Sequence, residues 1–274
     1  MKIQVSEEDS DPDQFEDLHA PSITTLEIHD SYLQEKSVGR LIARTPNLTS
    51  LRVDLTRDAT PSGHLIDSFL DCSELALSIS RLAVAVNTPG VGSTTEFHRN
   101  GLENLAISIK FFVTNTGQQG TGGAWEDGRD GNGGWVHSWG IRGSLGGFKA
   151  FSYLKTLEIA PVLLFGWHTN GLRPLRDLIP DSLQKLTLRC DLGDWQDYEW
   201  DVGQLSIVFF DYLDGGKQRE LKDVVLKWME YDFVDYHDEC LALQERCRQA
   251  GIRMIAEQVQ RFAEETTFIT SSRI

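Results

Sequence analysis

The first group of residues that could do chemistry is a set of oxygen-bearing side chains in a glycine-rich stretch: Glu126, Asp127, Asp130 and Asn132. Hard cations such as Ca²⁺ bind several oxygen ligands at alternating positions of one loop. The spacing here does not match the EF-hand pattern, and the closing glutamate of that pattern is missing. We therefore expect a solvated acidic loop rather than a calcium site.

The chain carries none of the short motifs that mark common catalytic centres. It lacks G-x-S-x-G, H-E-x-x-H and G-x-x-x-x-G-K-[ST], and no lysine follows the glycine-rich loop where a phosphate cradle needs one. No two histidines lie three or four residues apart, as a helical metal pair requires. We therefore expect no catalytic residue, no cofactor and no metal. An enzyme site in the glycine- and tryptophan-rich loop is the weaker alternative.

The elements that position every other candidate residue follow from a leucine pattern in residues 151–188. The pattern L-x-x-L-x-L occurs there twice, at Leu154, Leu157 and Ile159 and again at Leu183, Leu186 and Leu188. The two copies start 29 residues apart, a spacing typical of a leucine-rich repeat with one strand and one return segment per coil. In a strand, alternate side chains share a face, so the fourth and sixth positions point into a common core.

Further copies extend this pattern along the chain. They centre on Leu26 and Ile28, Leu51 and Val53, Leu105 and Ile107, Val224 and Leu226, and a degenerate last copy at Ile252, Met254 and Ile255. Helices are expected from about Val202 and from about Asp235 to Ala250. The predicted fold class is α/β: an irregular leucine-rich-repeat solenoid with parallel strands on the concave face and helices or irregular return segments on the convex face.

Residues 64–86 allow two interpretations. They could form one long helix, which we slightly prefer because alanine, serine and glutamate dilute any strand signal. They could also form a helix followed by a degenerate strand over Leu75, Leu77 and Ile79. The second interpretation is favoured by spacing, since Leu75 lies 27 residues beyond Leu48.

Composition suggests three segments. Residues 1–20 read as a disordered acidic lead, 21–256 as the array, and 257–274 as a tail. Residues 115–147, rich in glycine and containing Trp125, Trp135 and Trp139, interrupt the array as a long loop whose later part, residues 135–145, can order against the array through its tryptophans. We expect Trp195, Tyr198 and Trp200 either to contact a partner or to seal the array.

The overall charge restricts the partners. A formal net charge of −15 argues against nucleic acid, because phosphate binding depends on clustered lysine and arginine. The sequence has no run of 18 apolar residues and no secretory leader, so we expect no membrane span and a cytoplasmic or nuclear location. The scattered cysteines are expected to be buried free thiols, with Cys240 and Cys247 on one helix face as core residues rather than metal ligands.

The central stretch resembles a known class of protein. The strand FSYLKTLEI, the following LLFGW, the strand IPDSLQKLTL and the downstream DYEW resemble the leucine-rich region of F-box-type proteins from filamentous fungi, over roughly residues 21–255. The resemblance implies an array that recruits a ubiquitination substrate to a cullin-type ligase, while a separate N-terminal F-box docks onto the ligase adaptor.

The chain departs from that class in one respect. Nothing before Pro21 can be an F-box, so docking to the cullin ligase adaptor is expected only if an F-box exists upstream. The predicted function is therefore a non-catalytic protein-interaction array that recognises a substrate. The alternative is a free-standing scaffold that holds one partner without a ubiquitin link.

Strand alternation predicts which side chains line the exposed face of the array. A protein partner is expected to contact Glu27, His29, Arg52, Asp54, Glu158, Lys185, Arg189 and Lys227. The face changes from mixed or acidic near its N-terminal strands to basic near its C-terminal strands. A partner with the opposite gradient is expected to fit it electrostatically.

Overall fold

The computed structural model describes residues 2–4, 22–31, 41–42, 44–45, 47–58, 70–71, 101–112, 141–142, 144–166, 173–189, 200, 202–215, 220–229 and 237–259. These residues form an α/β structure built on one open, fully parallel sheet, which confirms the predicted class. None of the described helices is long and apolar enough to cross a membrane.

Ten strands are described. They are β1 Lys2–Gln4, β2 Thr25–Ser31, β3 Ser50–Asp58, β4 Leu70–Asp71, β5 Asn104–Phe112, β6 Ile141–Arg142, β7 Thr156–Ile159, β8 Lys185–Arg189, β9 Asp223–Met229 and β10 Arg253–Val259. The main sheet has the order β1-β2-β3-β5-β7-β8-β9-β10, and β4 and β6 form a separate parallel pair. Successive strands of the main sheet are therefore neighbours, and the order never reverses.

The same hydrogen-bond arrangement opens five successive strands. The carbonyls of Thr24, Thr49, Glu103, Lys155 and Gln184 each accept two backbone N–H groups from the start of the next strand, at 2.8 to 3.0 Å. In three places a turn precedes this arrangement, where Leu48, Leu154 and Leu183 donate to the carbonyl three residues earlier. Because each of these strands begins in the same way against its neighbour, the apolar positions stay aligned across the sheet, although the β2–β3 pairing shifts at the end of β2, between Ile28 and Ser31.

That register aligns the apolar positions into two rows across the sheet. One row runs through Leu26, Leu51, Leu105, Leu157, Leu186, Val224 and Met254, and the other through Ile28, Val53, Ile107, Ile159, Leu188, Leu226 and Ala256. All of them are buried except Ala256, which is partly buried. Each leucine packs against those of the adjacent strands, so no single strand could bury its apolar side alone.

Four described helices complete this core: α1 Pro161–Phe165, α2 Leu175–Leu178, α3 Val202–Asp214 and α4 His237–Gln249. Proline at the start of α1 suits a position whose N–H has no partner in the helix. Acidic residues in the first turn of α4 and arginines in its last turn complement its dipole. Gly251 lies between the end of α4 and the start of β10. Its φ of 76° is the left-handed conformation in which helices commonly terminate.

The helices all pack on one side of the sheet. Leu164 of α1, Leu178 of α2, Phe209 of α3 and Leu243 of α4 belong to the same core cluster as the two strand rows. Cys240 and Cys247 are buried there as free thiols, as expected. Burial raises the pKa of the Cys247 thiol to about 11, so it remains protonated at neutral pH.

Two of the predicted boundaries are wrong. Lys2–Gln4, placed in a disordered lead, form β1 beside β2, because the open edge of β2 offers backbone partners that composition does not reveal. The tail was predicted to start at residue 257, but β10 continues to Val259 opposite Met229. The rest of both segments lies outside the described residues.

The structure also changes the interpretation of residues 64–86. Strand β3 pairs directly with β5 over nine residues, and the alternative strand over Leu75, Leu77 and Ile79 lies outside the described residues. The preferred single helix is wrong at Leu70–Asp71, which pair with Ile141–Arg142. The other residues of this segment lie outside the described part of the chain.

The glycine- and tryptophan-rich segment is described only towards its end. There the N–H of Leu145 donates to the carbonyl of Leu163 at 2.7 Å, and the N–H of Phe148 donates to the carbonyl of Leu178. Both side chains are buried. Of the segment predicted to pack against the array, residues 135–145, Leu145 makes such a contact, whereas the three tryptophans through which the packing was predicted lie outside the described residues.

Truncating a leucine in the shared row tests this register. Leu157→Ala removes a side chain that is 1% exposed between Leu105 and Leu186. We expect the free energy of unfolding to fall by about 2–5 kcal/mol, the range for a buried leucine that leaves a cavity. Urea titration measures this loss. Lys185→Ala, at an exposed position of the next strand, is the matched control and should change stability by about 0.5 kcal/mol or less. A near-neutral Leu157→Ala would contradict the register.

Candidate functional site

The side of the sheet opposite the core carries a polar surface, which we call the polar face. Three cross-strand rows make it up, and the register assigns their members. The first holds Thr25, Ser50, Asn104, Thr156, Lys185, Asp223 and Arg253; the second Glu27, Arg52, Ala106, Glu158, Thr187, Val225 and Ile255; the third Asp54, Ser108, Arg189, Lys227 and Glu257, with His29 beside Asp54. Two groups of charged side chains stand on this surface.

The first group, the Asp54 cluster, joins β2, β3 and β5. Asp54 Oδ2 lies 2.8 Å from His29 Nδ1 and accepts a hydrogen bond from Arg52 Nε at 2.9 Å. Its other oxygen accepts a hydrogen bond from Ser108 Oγ. The second nitrogen of His29, Nε2, lies 3.1 Å from Glu27 Oε2. One carboxylate therefore ties together three neighbouring strands.

Asp54 is held as an anion although it is only 6% exposed. Burial alone would raise the pKa of this carboxyl, but hydrogen bonds from Arg52 and Ser108, the charge of Arg52 and the bond to His29 outweigh it and lower the pKa. A buried carboxylate is tolerated when such partners replace water.

This geometry does not form a nucleophile–base pair. Ser108 donates its proton to Asp54 rather than to His29, and the lowered pKa of Asp54 makes it a weak base. The two nitrogens of His29 face different carboxylates on opposite sides of the ring, so these three groups do not converge on one point. Within the described residues, no group of histidine, cysteine, aspartate and glutamate could hold a metal ion.

The second group, the Glu158 cluster, joins β7, β8 and β9. Glu158 Oε1 accepts a hydrogen bond from Arg189 at 2.7 Å and another from Lys227 at 3.0 Å. All three side chains are between 17% and 25% exposed. Burial opposes ionisation of Glu158, but the charge and hydrogen bond of Lys227, together with those of Arg189, lower its pKa.

The Glu158 cluster also covers part of the sheet. Lys227 stands on β9 and Glu158 on β7, so their ion pair passes over β8, a span of two strand spacings or about 10 Å. Thr187 of β8 and Val225 of β9 lie on this face and are each 3% exposed. The long charged side chains therefore form the outer layer of the polar face, and the shorter side chains between them are shielded.

The structure brings seven of the eight predicted site residues into these two clusters. Glu27, His29, Arg52 and Asp54 form the first, and Glu158, Arg189 and Lys227 the second. Lys185 stands apart in the first row and is exposed. The whole set is not one continuous charged patch, because Ala106 separates Arg52 from Glu158 along the second row.

One predicted feature of the face does not hold at Asp54. Alternation placed this carboxylate on an exposed surface, but its neighbours bury it, so it organises the surface and does not reach a partner. The expected basic character of the C-terminal strands is also reduced, because Glu158 accepts from both Arg189 and Lys227, and Asp223 accepts from Arg253 at 2.7 Å. The alternation of side chains along a strand predicts which face a side chain occupies. It does not predict which residue of another strand that side chain pairs with.

Ser108 is a member of the Asp54 cluster that the site prediction left out. Ser108 is buried, and its hydroxyl donates a hydrogen bond to Asp54 Oδ1. The available signal was its position: a small hydroxyl residue on the same face, one strand away from an acidic residue. Trp200, by contrast, is buried, stacks on Phe165 with ring centroids 4.7 Å apart and donates to the carbonyl of Gly166. It seals the core, while Trp195 and Tyr198 lie outside the described residues.

A depression lies beside α2 and α3, next to the residues that precede β8 and β9. It encloses about 250 Å³ and is lined by Lys149, Arg176, Asp177, Ile179, Pro180, Asp181, Leu183, Tyr212, Gly215 and Glu220. Lys149 pairs with Asp181 at 3.0 Å, and Arg176 with Asp211 at 2.9 Å. These pairs are exposed, and pairs of this kind contribute little to stability. Among the described residues that line the depression, none is a buried polar group of the kind that orients a small ligand.

Comparison with known proteins does not add a family to this description. A scan against protein-family models finds no match. Searches of curated proteins and of solved structures find no match either.

Acid titration tests the Glu158 cluster. The folded pKa of Glu158 lies below its ordinary value of 4.5, so its ionisation stabilises the fold above that pH and the contribution is lost as pH falls through the folded pKa. We expect Glu158→Gln to lower the free energy of unfolding at neutral pH and to flatten its dependence on pH in this acid range. Urea titration at a series of pH values measures both effects.

The control for this titration is Glu103→Gln. Glu103 forms an exposed ion pair with Lys155 at 3.0 Å, and such a pair contributes about 0–1 kcal/mol. Equal acid sensitivity in wild type and Glu158→Gln would show that Glu158 is not ionised preferentially in the folded state.

Proposed function

We propose that the chain is an irregular leucine-rich-repeat solenoid that binds a protein partner on its polar face. The observation that carries the proposal is the combination of sequential parallel strands with helices on one side only. A parallel strand–crossover–strand unit is almost always right-handed, so units added in one direction place their return segments on one face. The opposite face then remains available as an extended binding surface, as in solenoid proteins.

The strand order also favours a protein partner over a small ligand. Doubly wound sheets bind small molecules in the crevice where the strand order reverses. The described sheet runs from β1 to β10 without a reversal. Its polar face is instead broad and held in place by the two clusters. Side chains already fixed by ion pairs lose less conformational entropy when a partner binds.

The resemblance to fungal F-box-type proteins gives the proposal its biochemical context. The partner is a protein whose ubiquitination the array promotes, and the cullin ligase adaptor is a second partner only where an F-box precedes this sequence. The buried free thiols of Cys240 and Cys247 are compatible with the reducing cytoplasm or nucleus, where we place the protein. The polar face needs no catalytic residue, cofactor or metal for this function.

The free-standing scaffold remains the second candidate. It uses the same polar face and differs only in the fate of the partner. In the substrate-recognition hypothesis the partner is degraded faster when the array is present, whereas a scaffold leaves its lifetime unchanged.

Site-specific photo-crosslinking in cells tests which face binds. A photoreactive amino acid at Asn104 or Lys185, both exposed on the polar face, should capture a defined partner. The control position is Ile207, which is 61% exposed on the helical side. We expect the same adduct from both polar-face positions and not from Ile207. Capture of that partner from Ile207 alone would contradict the proposed face.

The lifetime of the captured partner separates the two candidates. Removal of the array should lengthen the partner's half-life severalfold if the array delivers it for ubiquitination, and proteasome inhibition should abolish the difference. An unchanged half-life would favour the scaffold. Pulse-chase labelling of the partner measures this.

A further inference from the structure

The described sheet ends at β10, and that end has an unpaired edge. Arg253–Val259 pair with β9 on one side over seven residues, and no described strand lies on the other. The N–H of Arg253 donates to the carbonyl of Lys222, the residue just before β9. Since backbone groups alternate along a strand, those of Met254, Ala256 and Gln258 point away from β9. A strand edge of this length is a template for pairing with another chain.

We infer that this edge joins two copies of the chain into a symmetric dimer through antiparallel pairing of β10 with β10 of the second copy. The argument rests on charge complementarity in one register. With Ile255 on the twofold axis, Arg253 stands opposite Glu257 of the second copy, and Glu257 opposite Arg253. Both side chains are exposed on the polar face. A twofold interface uses the same patch on both partners, as this register does.

The backbone geometry agrees with that register. It places Met254 opposite Ala256, and these are the residues whose N–H and C=O groups point outwards, so they form the hydrogen-bonded pairs. Arg253 and Glu257 then fall at non-hydrogen-bonded pairs, where the side chains are closest. A shift of two residues would place each charge opposite an apolar residue or a glycine. A shift of four would place like charges opposite each other, which destabilises a sheet.

A second observation places an apolar contact at the same edge. Arg246 of α4 pairs with Asp214 of α3, while Gln244 donates to the carbonyl of Met254 at 3.4 Å. One flank of α4 therefore faces α3 and the other faces the β10 edge. Leu241 lies three residues before Gln244, on that outer flank. It is 49% exposed, and a second copy added at the edge would cover it with its own α4.

The long bond from Gln244 does not block the pairing. A carbonyl oxygen has two lone pairs, so Met254 can accept from both Gln244 and the second copy. Arg253 Nε already donates to Asp223 of β9 within the chain at 2.7 Å, and a guanidinium carries further N–H donors with which it can reach Glu257 of the second copy. The dimer thus extends the sheet and the polar face without displacing a described contact.

A charge-exchange experiment tests the register. Glu257→Arg and Arg253→Glu should each abolish the dimer, because each places like charges opposite one another twice. Their equimolar mixture should recover a one-to-one heterodimer, because every pair is then complementary. Sedimentation equilibrium over a wide concentration range measures the mass. Circular dichroism of each variant checks that the fold is kept, since Arg253→Glu also faces Asp223.

Disulfide trapping provides an independent test, because it does not depend on whether the charge variants at Arg253 and Glu257 keep their fold. Residue 255 meets its own copy on the axis with Cα atoms about 4.5 Å apart, which is within reach of a disulfide. Ile255→Cys should form a crosslinked dimer at least tenfold faster than Ile207→Cys, the matched control on α3. A wild-type chain that stays monomeric throughout, a dimer that survives Glu257→Arg, or equal crosslinking rates would each overturn the inference.

Discussion

The register of the sheet depends on how each strand begins. One carbonyl just before a strand accepts two backbone donors from the next strand, and this occurs at five successive junctions. The arrangement prevents slippage, since a slip of one residue would turn every apolar side chain to the polar face. Return segments of very different length can then connect the strands, because the constraint acts at their ends. The two rows of buried leucine, isoleucine and valine follow directly from it.

The polar face inherits its geometry from the same register. Asp54 is paired with Ser108 of β5, and Glu158 lies one row before Arg189 of β8 and Lys227 of β9. Burial raises the energetic cost of each charge, and the partners offset it by lowering the pKa. Each cluster spans three strands, so one reinforces the sheet laterally from β2 to β5 and the other from β7 to β9. The guanidinium, ammonium and carboxylate groups of the polar face are therefore held in a fixed arrangement.

Much of the fold could be predicted from sequence because the leucine pattern has a period that only a half-buried strand explains. Leu157 and Leu186, or Leu51 and Val53, identified their strands and faces correctly. Helix α4 was identifiable from its charges and from Gly251. Two strand pairings could not be predicted from the leucine pattern. Pairing of Lys2–Gln4 with β2 depends on an open edge elsewhere in the chain, and direct pairing of β3 with β5 depends on which segments leave the sheet.

The sequence was enough to predict which face of the sheet carries the candidate site residues. It was not enough to predict which side chains they contact. Alternation placed Arg52, Glu158 and Lys227 on one surface. It could not show that Lys227 passes over β8 to Glu158, or that Ser108 and His29 bury Asp54, because these contacts join residues 25 to 69 positions apart in sequence. Side-chain length and local charge decide them once the strands are aligned.

Disulfide trapping between β5 and β7 tests the central claim, namely that one register aligns consecutive strands of the sheet with a single polar face. Ala106 and Glu158 are paired on that face although 52 residues separate β5 from β7 at this level. Adjacent strands lie about 4.8 Å apart, so the double variant Ala106→Cys with Glu158→Cys should oxidise rapidly within one chain. Replacing Leu157 instead of Glu158 puts the second thiol in the core and should prevent the bond. Equal oxidation of both pairs, or none in either, would contradict the register on which the proposed binding surface rests.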